Sequence, residues 1–306
     1  MKDSLEIRDE VRDAHAAKMP VVALESTLIT HGLPYPTNVE TARAMESAVR
    51  ESGSVPATIA VLDGRIVVGL ANAEIERLAG TEDVVKVSRA DLSAVVATKR
   101  MGATTVASTM MVAAMAGIRM FATGGIGGVH RGGESSMDVS ADLTELGRTQ
   151  VAVVCAGAKA ILDLPRTLEV LETLGVPVVG FETKEFPAFY CRESGLELLH
   201  SVPTPQEAAN IMKAQWGMGG AQMGGILFVN PPPKESALQK SEMEVFIEKA
   251  VTTAALQGVN GKAVTPFLLR EVSRLSEGKT LKANVALLIS NARLAGRIAA
   301  AYSSVE

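Results

Sequence analysis

Several side chains in this sequence have the type and setting to do chemistry on a small anionic molecule. Lys159 ends the run Val151-Ala-Val-Val-Cys-Ala-Gly-Ala-Lys159, at the carboxyl end of what reads as a buried strand. Burial disfavours an ammonium ion, so a lysine there is expected to have a lowered pKa, and a neutral amine can attack a carbonyl carbon to form an imine. The same position also suits a lysine that opens a helix and turns its charge to water, although a helix start disfavours a cation. Glu25 directly follows the apolar run Val21-Val-Ala-Leu24. A carboxyl group at a strand end has its pKa raised by desolvation, as a general acid near neutral pH requires; strand ends also carry ordinary acids. Lys86 interrupts the apolar stretch Val84–Val87. It is a candidate phosphate or substrate contact, unless it lies on an exposed sheet edge.

The segment from Phe121 to Gly133 adds a second kind of signal, since six of its thirteen residues are glycine. Glycine lets backbone N–H groups approach a ligand because no Cβ intervenes. His130 and Arg131 stand beside those amides, so an anionic ligand such as a phosphate ester is expected; a mobile surface loop is the plain alternative. Next comes Met137-Asp-Val-Ser-Ala-Asp142. If that segment is helical, Asp138 and Asp142 share one face and Ser140 is a cap. Clustered carboxylates suit a hard cation such as Mg²⁺ or Mn²⁺, or else simply oppose the helix dipole. No Cys/His cluster has zinc spacing. Gly102-Ala-Thr-Thr-Val-Ala-Ser-Thr109 fits a ligand-lining turn before a helix.

The elements that must position these residues alternate along the chain. Expected strands are Val21–Leu24, Thr58–Leu62, Ile66–Leu70, Val84–Val87, Ala94–Ala97, Arg119–Thr123, Val151–Ala156, Val176–Gly180 and Ile226–Asn230. Expected helices are Thr37–Ser52, Asn72–Leu78, Ser108–Ala116, Ser140–Arg148, Pro165–Leu174, Pro205–Ala214, Lys240–Leu256, Pro266–Ser276 and Leu281–Tyr302. Short strands between longer helices imply crossover connections and a largely parallel sheet covered on both faces. Asp63-Gly64 predicts a tight hairpin, which makes the sheet mixed. Asp163-Leu-Pro165 and Thr265-Pro266 read as helix starts. Gly217–Gly225 reads as a connector rather than a lid. From about Lys234 the chain is helical and packs on the sheet. The fold class is α/β: a three-layer α/β/α arrangement with a mixed, mostly parallel central sheet and a helical C-terminal region, in a single domain over residues 1–306.

Composition narrows the function. Of 306 residues, 47% are hydrophobic and 21% charged, and the formal net charge is −4, so nothing biases the whole molecule towards nucleic acid. Aromatic residues are only 4%, which argues against base-stacking platforms. Cys155 and Cys191 make no disulfide framework, and a reducing compartment is expected. No apolar run reaches the roughly 18 residues of a membrane helix. The N-terminal residues lack the apolar core of a secretory signal, and the C-terminal residues match no retention or lipid motif, so a cytoplasmic location without membrane partners is expected.

With these residues in view, the chain resembles the pseudouridine-5′-phosphate glycosidase family, which includes the indigoidine synthase A-like proteins. The resemblance rests on Val21-Val-Ala-Leu-Glu-Ser-Thr27, His31-Gly32, Pro56-Ala-Thr-Ile-Ala60, Lys86-Val-Ser88, Gly102-Ala-Thr-Thr-Val106, Phe121 through Arg131, Asp138-Val-Ser-Ala-Asp142, Val154-Cys-Ala-Gly-Ala-Lys159 and Thr265-Pro-Phe-Leu-Leu269, in the family's order. It implies reversible cleavage of pseudouridine 5′-phosphate to uracil and ribose 5-phosphate, a homotrimer, and a divalent metal, typically Mn²⁺. By the family's motif, Lys159 is the imine-forming nucleophile and Glu25 the proton donor. Lys86, Val106, Ser140, Ala141 and Asp142 contact substrate, and Asp138 holds the metal. His130 extends this to the phosphate end and Asn284 to uracil. Two rivals are a sugar or nucleoside kinase, for which the chain lacks a P-loop, and a sugar-phosphate-binding regulatory protein without catalysis.

Overall fold

The computed structural model describes residues 4–219, 223–259 and 264–305. Its strands, in chain order, are β1 Leu5–Ile7, β2 Val21–Leu24, β3 Val55–Leu62, β4 Arg65–Val68, β5 Val85–Val87, β6 Gly102–Thr104, β7 Met120–Ala122, β8 Val129–His130, β9 Ala152–Cys155, β10 Leu162–Asp163, β11 Val178–Phe181, β12 His200–Val202 and β13 Ile226–Val229. Eleven of them form one sheet with the order β1-β4-β3-β2-β7-β9-β13-β11-β12, and β6 and β5 branch from β3. The pairings from β3 through β2, β7, β9, β13 and β11 to β12 are all parallel. β3 meets both β4 and β6 antiparallel, so the sheet is mixed as expected. Strands β2, β3, β9 and β13 are buried along their whole length, which is why they read as unbroken apolar runs.

Helices cover both faces. Thr37–Glu51, Pro205–Gly219 and Lys279–Ser303 pack together on one side, where the last helix also lies against β2, β7 and β9. Asp9–Ala16 and Val106–Met115 cover the other side, and Ala141–Leu146 packs on the latter. The last helix is therefore part of a layer of the sandwich, whereas Lys240–Leu256 and Val264–Leu275 pack on each other beside it. The helix Lys240–Leu256 matches the expected span. Among the described residues no helix is long and apolar enough to cross a membrane.

Winding direction changes at one place. From β2 the chain crosses to β3 on one side, whereas from β7 it crosses to β9 on the other. The carboxyl ends of β2 and β7 therefore diverge, and open α/β sheets bind ligands at such a switch point. β3 contributes a second opening. Its first half pairs with β2 and its second half with β6, which brings β5 and Lys86 alongside.

Several expectations change. Ala94–Ala97 lies in the helix Leu92–Ala97, with Leu92 and Val95 buried three residues apart at helical spacing. A four-residue apolar run carries too little periodicity to separate the two states. The strands β1, β6, β8, β10 and β12 and the helix Asp9–Ala16 add to the expected set. Asp63 and Gly64 do form the two-residue turn between β3 and β4, both with positive φ (51° and 81°). Gly217–Gly219 belong to the preceding helix, and the remainder of that expected connector includes residues 220–222, outside the described residues. Thr265 lies within the helix described from Val264, with Pro266 in its first turn.

Candidate active site

A cavity of about 400 Å³ opens beyond the carboxyl ends of β2 and β7. Glu25, Lys86, Val106, His130, Asp138, Ser140, Ala141, Asp142, Lys159 and Asn284 all line it, though they come from segments far apart in the chain. Glu25 leaves β2, Lys86 sits in β5, and Lys159 follows β9. Val106 opens the helix that follows β6, and Asn284 comes from the helix Lys279–Ser303.

Glu25 is buried, with only 8% of its surface exposed. Burial pushes its carboxyl above the ordinary value of 4.5; Asp142 adds to the rise, while Lys159, Thr123 and Lys86 oppose it. Thr123 Oγ1 donates to Glu25 Oε1. The result is a carboxyl group raised in pKa that shares one cavity with Lys159, an environment that suits acid catalysis. Lys159 is half-buried, and its backbone N–H donates to the Ile126 carbonyl at 3.1 Å. Its charge also acts on His130 and on Cys155. Cys155 is fully buried and its thiol is pushed up to about 12, so it is an inert core residue.

The glycine segment borders the cavity and is also bound into the protein. Residues 121–129 are buried, so that part is no surface loop, whereas Arg131 and Gly132 are exposed. Several of the segment's amides are committed within the protein, whereas, among the described residues, no hydrogen bond to a protein acceptor is made by the N–H groups of Gly124 and Gly125, which line the cavity. Ile126 N–H donates to the Gly157 carbonyl, Gly127 N–H to Asp142 Oδ2, Val129 N–H to Thr167 Oγ1 and His130 N–H to the Asp138 carbonyl. The glycines are needed for close approach. A Cβ on Gly127 would sit 2.8 Å from Asp142 Oδ2, and one on Gly125 would sit 2.6 Å from the Phe189 ring. Arg131 is exposed and lines a neighbouring cavity with Asp163 and Lys240, not the one that holds Glu25.

Asp138 and Asp142 do not share a helical face. Val139 bridges Val129, so Asp138 precedes the helix Ala141–Leu146, which Ser140 caps by accepting from Asp142 N–H at 3.2 Å. Asp142 spends both carboxylate oxygens on backbone amides, Ala107 at 2.9 Å and Gly127 at 2.7 Å. Asp138 is 45% exposed at the cavity wall, with His130 Nδ1 3.9 Å from its carboxylate. Burial, together with the Lys159 and Lys86 cations, holds His130 below its ordinary value against the pull of Asp138. Among the described residues no cluster of three His, Cys, Asp or Glu could hold a metal. A single open carboxylate still fits a hard divalent cation that keeps most of its water.

Thr123, His31 and Phe189 also line the cavity, and none of them carried a role of its own at the sequence level. Thr123 lay inside an apolar run and read as a strand residue. His31 sits in a five-residue π-helical turn, Leu28–Gly32, where burial and the Lys86 cation push its pKa down. π-turns gather at functional sites, but no sequence pattern marks them. Phe189 lies in a loop with no periodicity and has a left-handed φ of 61°.

An acid and an amine in one cavity at the switch point of a doubly wound sheet define a small-molecule enzyme of the α/β class. Residues 10–301 match the family described as Indigoidine synthase A like protein, and the chain belongs to that family. It is 54% identical over 299 residues to the pseudouridine-5′-phosphate glycosidase of Caldanaerobacter subterraneus subsp. tengcongensis, covering 98% of this chain and 97% of that protein. It is 52% identical over 303 residues to the one from Staphylococcus aureus, with 98% and 97% covered. Among solved structures, the prealnumycin C-glycosynthase AlnA in complex with ribulose 5-phosphate superposes with a TM-score of 0.91 at 42% identity, covering 98% of this chain and 97% of that one. An indigoidine synthase A-like protein from Thermotoga maritima gives 0.89 at 38% identity, covering 98% and 96%.

Proposed function

We propose that this protein cleaves the C–C glycosidic bond of pseudouridine 5′-phosphate, reversibly, giving uracil and ribose 5-phosphate. The observation that carries the reading is the buried Glu25 carboxyl, raised in pKa, sharing one cavity with Lys159 and Lys86. The names of the relatives support the same reaction, and a C-glycosynthase relative bound to ribulose 5-phosphate supports a five-carbon sugar phosphate as ligand.

The bond joins two carbons, so protonating a leaving nitrogen offers no route. Glu25 gives its proton to the ribose ring oxygen as the C1′–O4′ bond breaks, and the neutral Lys159 amine bonds to C1′. The C1′-bonded lysine nitrogen then gives a proton to the Glu25 carboxylate, which passes it to uracil C5, and the C1′–C5 bond breaks as the lysine nitrogen lone pair forms the C1′=N imine. Water adds to C1′, and loss of the amine yields the sugar aldehyde and frees Lys159. One molecule of substrate and one of water become uracil and ribose 5-phosphate.

The other lining residues divide the substrate between them. Lys86, His130 and the helix start at Val106 face the phosphate, since a helix N-terminus favours anions. Ser140, Ala141 and Asp142 contact the sugar phosphate, and Asp142 also holds the wall together through the Ala107 and Gly127 amides. Asn284 offers an amide to uracil. Asp138 would hold Mn²⁺ or another divalent cation through water, supplying positive charge near the phosphate. The protein would work as a homotrimer in the cytoplasm, where Cys155 and Cys191, both unpaired and buried, would stay reduced. Sedimentation of the purified protein tests the trimer.

The test is to mix the protein with pseudouridine 5′-phosphate and Mn²⁺ and follow uracil. Release of uracil, abolished in Lys159→Ala, supports the reading. No uracil, or turnover by Lys159→Ala at the wild-type rate, overturns it.

A further inference from the structure

Thr123 directly follows β7, opposite Glu25 in register, and nothing in the sequence assigned it a role of its own. We infer that Thr123 is the positioning residue for Glu25, its hydroxyl occupying Oε1 so that Oε2 is the oxygen that carries and delivers the acid proton. The contact itself stands on geometry; its catalytic meaning rests on the glycosidase reading.

The hydroxyl has little freedom to be anywhere else. Thr123 is 1% exposed. Its N–H donates to the Val154 carbonyl at 3.0 Å, and its carbonyl accepts from Asn291 Nδ2 at 2.8 Å. Asn291 is itself fully buried, and its Oδ1 accepts from Asn230 Nδ2 at 3.0 Å. Asn230 N–H in turn donates to the Cys155 carbonyl at 2.8 Å. Three parallel strand ends and the helix Lys279–Ser303 thus fix the threonine, and the threonine fixes one carboxyl oxygen. Asn284 stands on the same helix, so both halves of the proposed site share one anchor.

A hydroxyl that donates to a carboxyl oxygen favours the ionised form and opposes burial. The charged groups acting on Glu25 are Lys159 and Lys86, which favour ionisation, and Asp142, which disfavours it; His31 and His130 line the same cavity. Burial still leads, so the carboxyl stays raised. Thr123 keeps that rise in check and gives the acid a fixed direction.

The experiment is a carbon NMR titration of the Glu25 carboxyl in the full-length protein, assigned with Glu25→Gln. Thr123→Val should move the midpoint up by about one pH unit, and Thr123→Ser, which keeps the hydroxyl, should return it to the wild-type value. A Thr123→Val midpoint equal to wild type overturns the inference, whatever happens to the rate. Should the valine variant fail to fold, Thr123→Ala carries the same prediction. If wild-type protein releases no uracil, the glycosidase reading fails while the titration still decides the contact.

Discussion

Asp142 and Gly127 are joined by a 2.7 Å hydrogen bond from the glycine amide to the carboxylate, at a place where Gly127 has no room for a side chain. The other oxygen of Asp142 takes the Ala107 amide, in the first turn of the helix Val106–Met115. One buried carboxylate therefore clamps the glycine segment to a helix N-terminus, and both border the cavity.

Asp142→Asn turns one acceptor into a donor that faces an N–H group. Loss of a hydrogen bond to a charged group, with an amide left unpaired, costs about 1.5–3 kcal/mol. Urea unfolding should show a loss in that range, accompanied by weaker binding of ribose 5-phosphate. Unchanged stability would mean that the clamp carries no energy.

Glu145 makes a second brace. It is fully buried, and its carboxylate accepts from Arg89 at 2.7 and 2.8 Å and from Arg148 at 2.9 Å. Arg89 follows the Lys86 strand, and Glu145 lies on the Ala141–Leu146 helix, so the pair ties two cavity walls together. Breaking a fully buried pair costs about 3–5 kcal/mol. Both guanidinium groups here are more than a third exposed, so solvent screening lowers the expectation to about 2–3 kcal/mol for Glu145→Gln. Denaturation midpoints measure it.

Gly125→Ala places a methyl group against the Phe189 ring and 3.0 Å from the Gly157 carbonyl. Overpacking of this kind costs about 1–3 kcal/mol. Phe189→Leu in the same chain should recover part of the loss, because the clash is largely with the ring. Strict additivity of the two variants in a double-mutant cycle would contradict that contact.

Glu25 gives the protein a pH signature. Its folded pKa lies above 4.5, so at higher pH the folded state binds more protons than the unfolded chain and stability falls. The loss begins near the unfolded value and is complete above the raised one. Glu25→Gln does not titrate, so its stability relative to wild type should increase as pH rises from about 4 to 8. A flat difference across that range would refute the raised pKa.

Much of the site was legible because chemistry sits at strand ends. Glu25 and Lys159 each follow an unbroken apolar run, and such runs are what a sheet covered on both faces requires. The two-residue turn at Asp63-Gly64 was legible for a similar reason, since only particular residues accept its backbone angles. Asp138 and Asp142 misled because their spacing fits a helix, while the backbone pairing of Val139 with Val129 keeps Asp138 out of it. That pairing is long-range and leaves no local mark. The glycine segment was legible only in part: its glycines also admit Asp142, Thr167 and Phe189, partners that no local pattern names. Thr123 was hidden because a threonine in an apolar strand signals strand propensity and nothing more.

Imine capture by Lys159 is the centre of the account, and borohydride trapping tests it most directly. Incubation with ribose 5-phosphate and borohydride should leave one reduced sugar-phosphate adduct per chain, mapped by mass spectrometry to the peptide that contains Lys159 and absent from Lys159→Ala. An adduct on Lys86 or another lysine, or no adduct from an enzyme that still releases uracil, would contradict it.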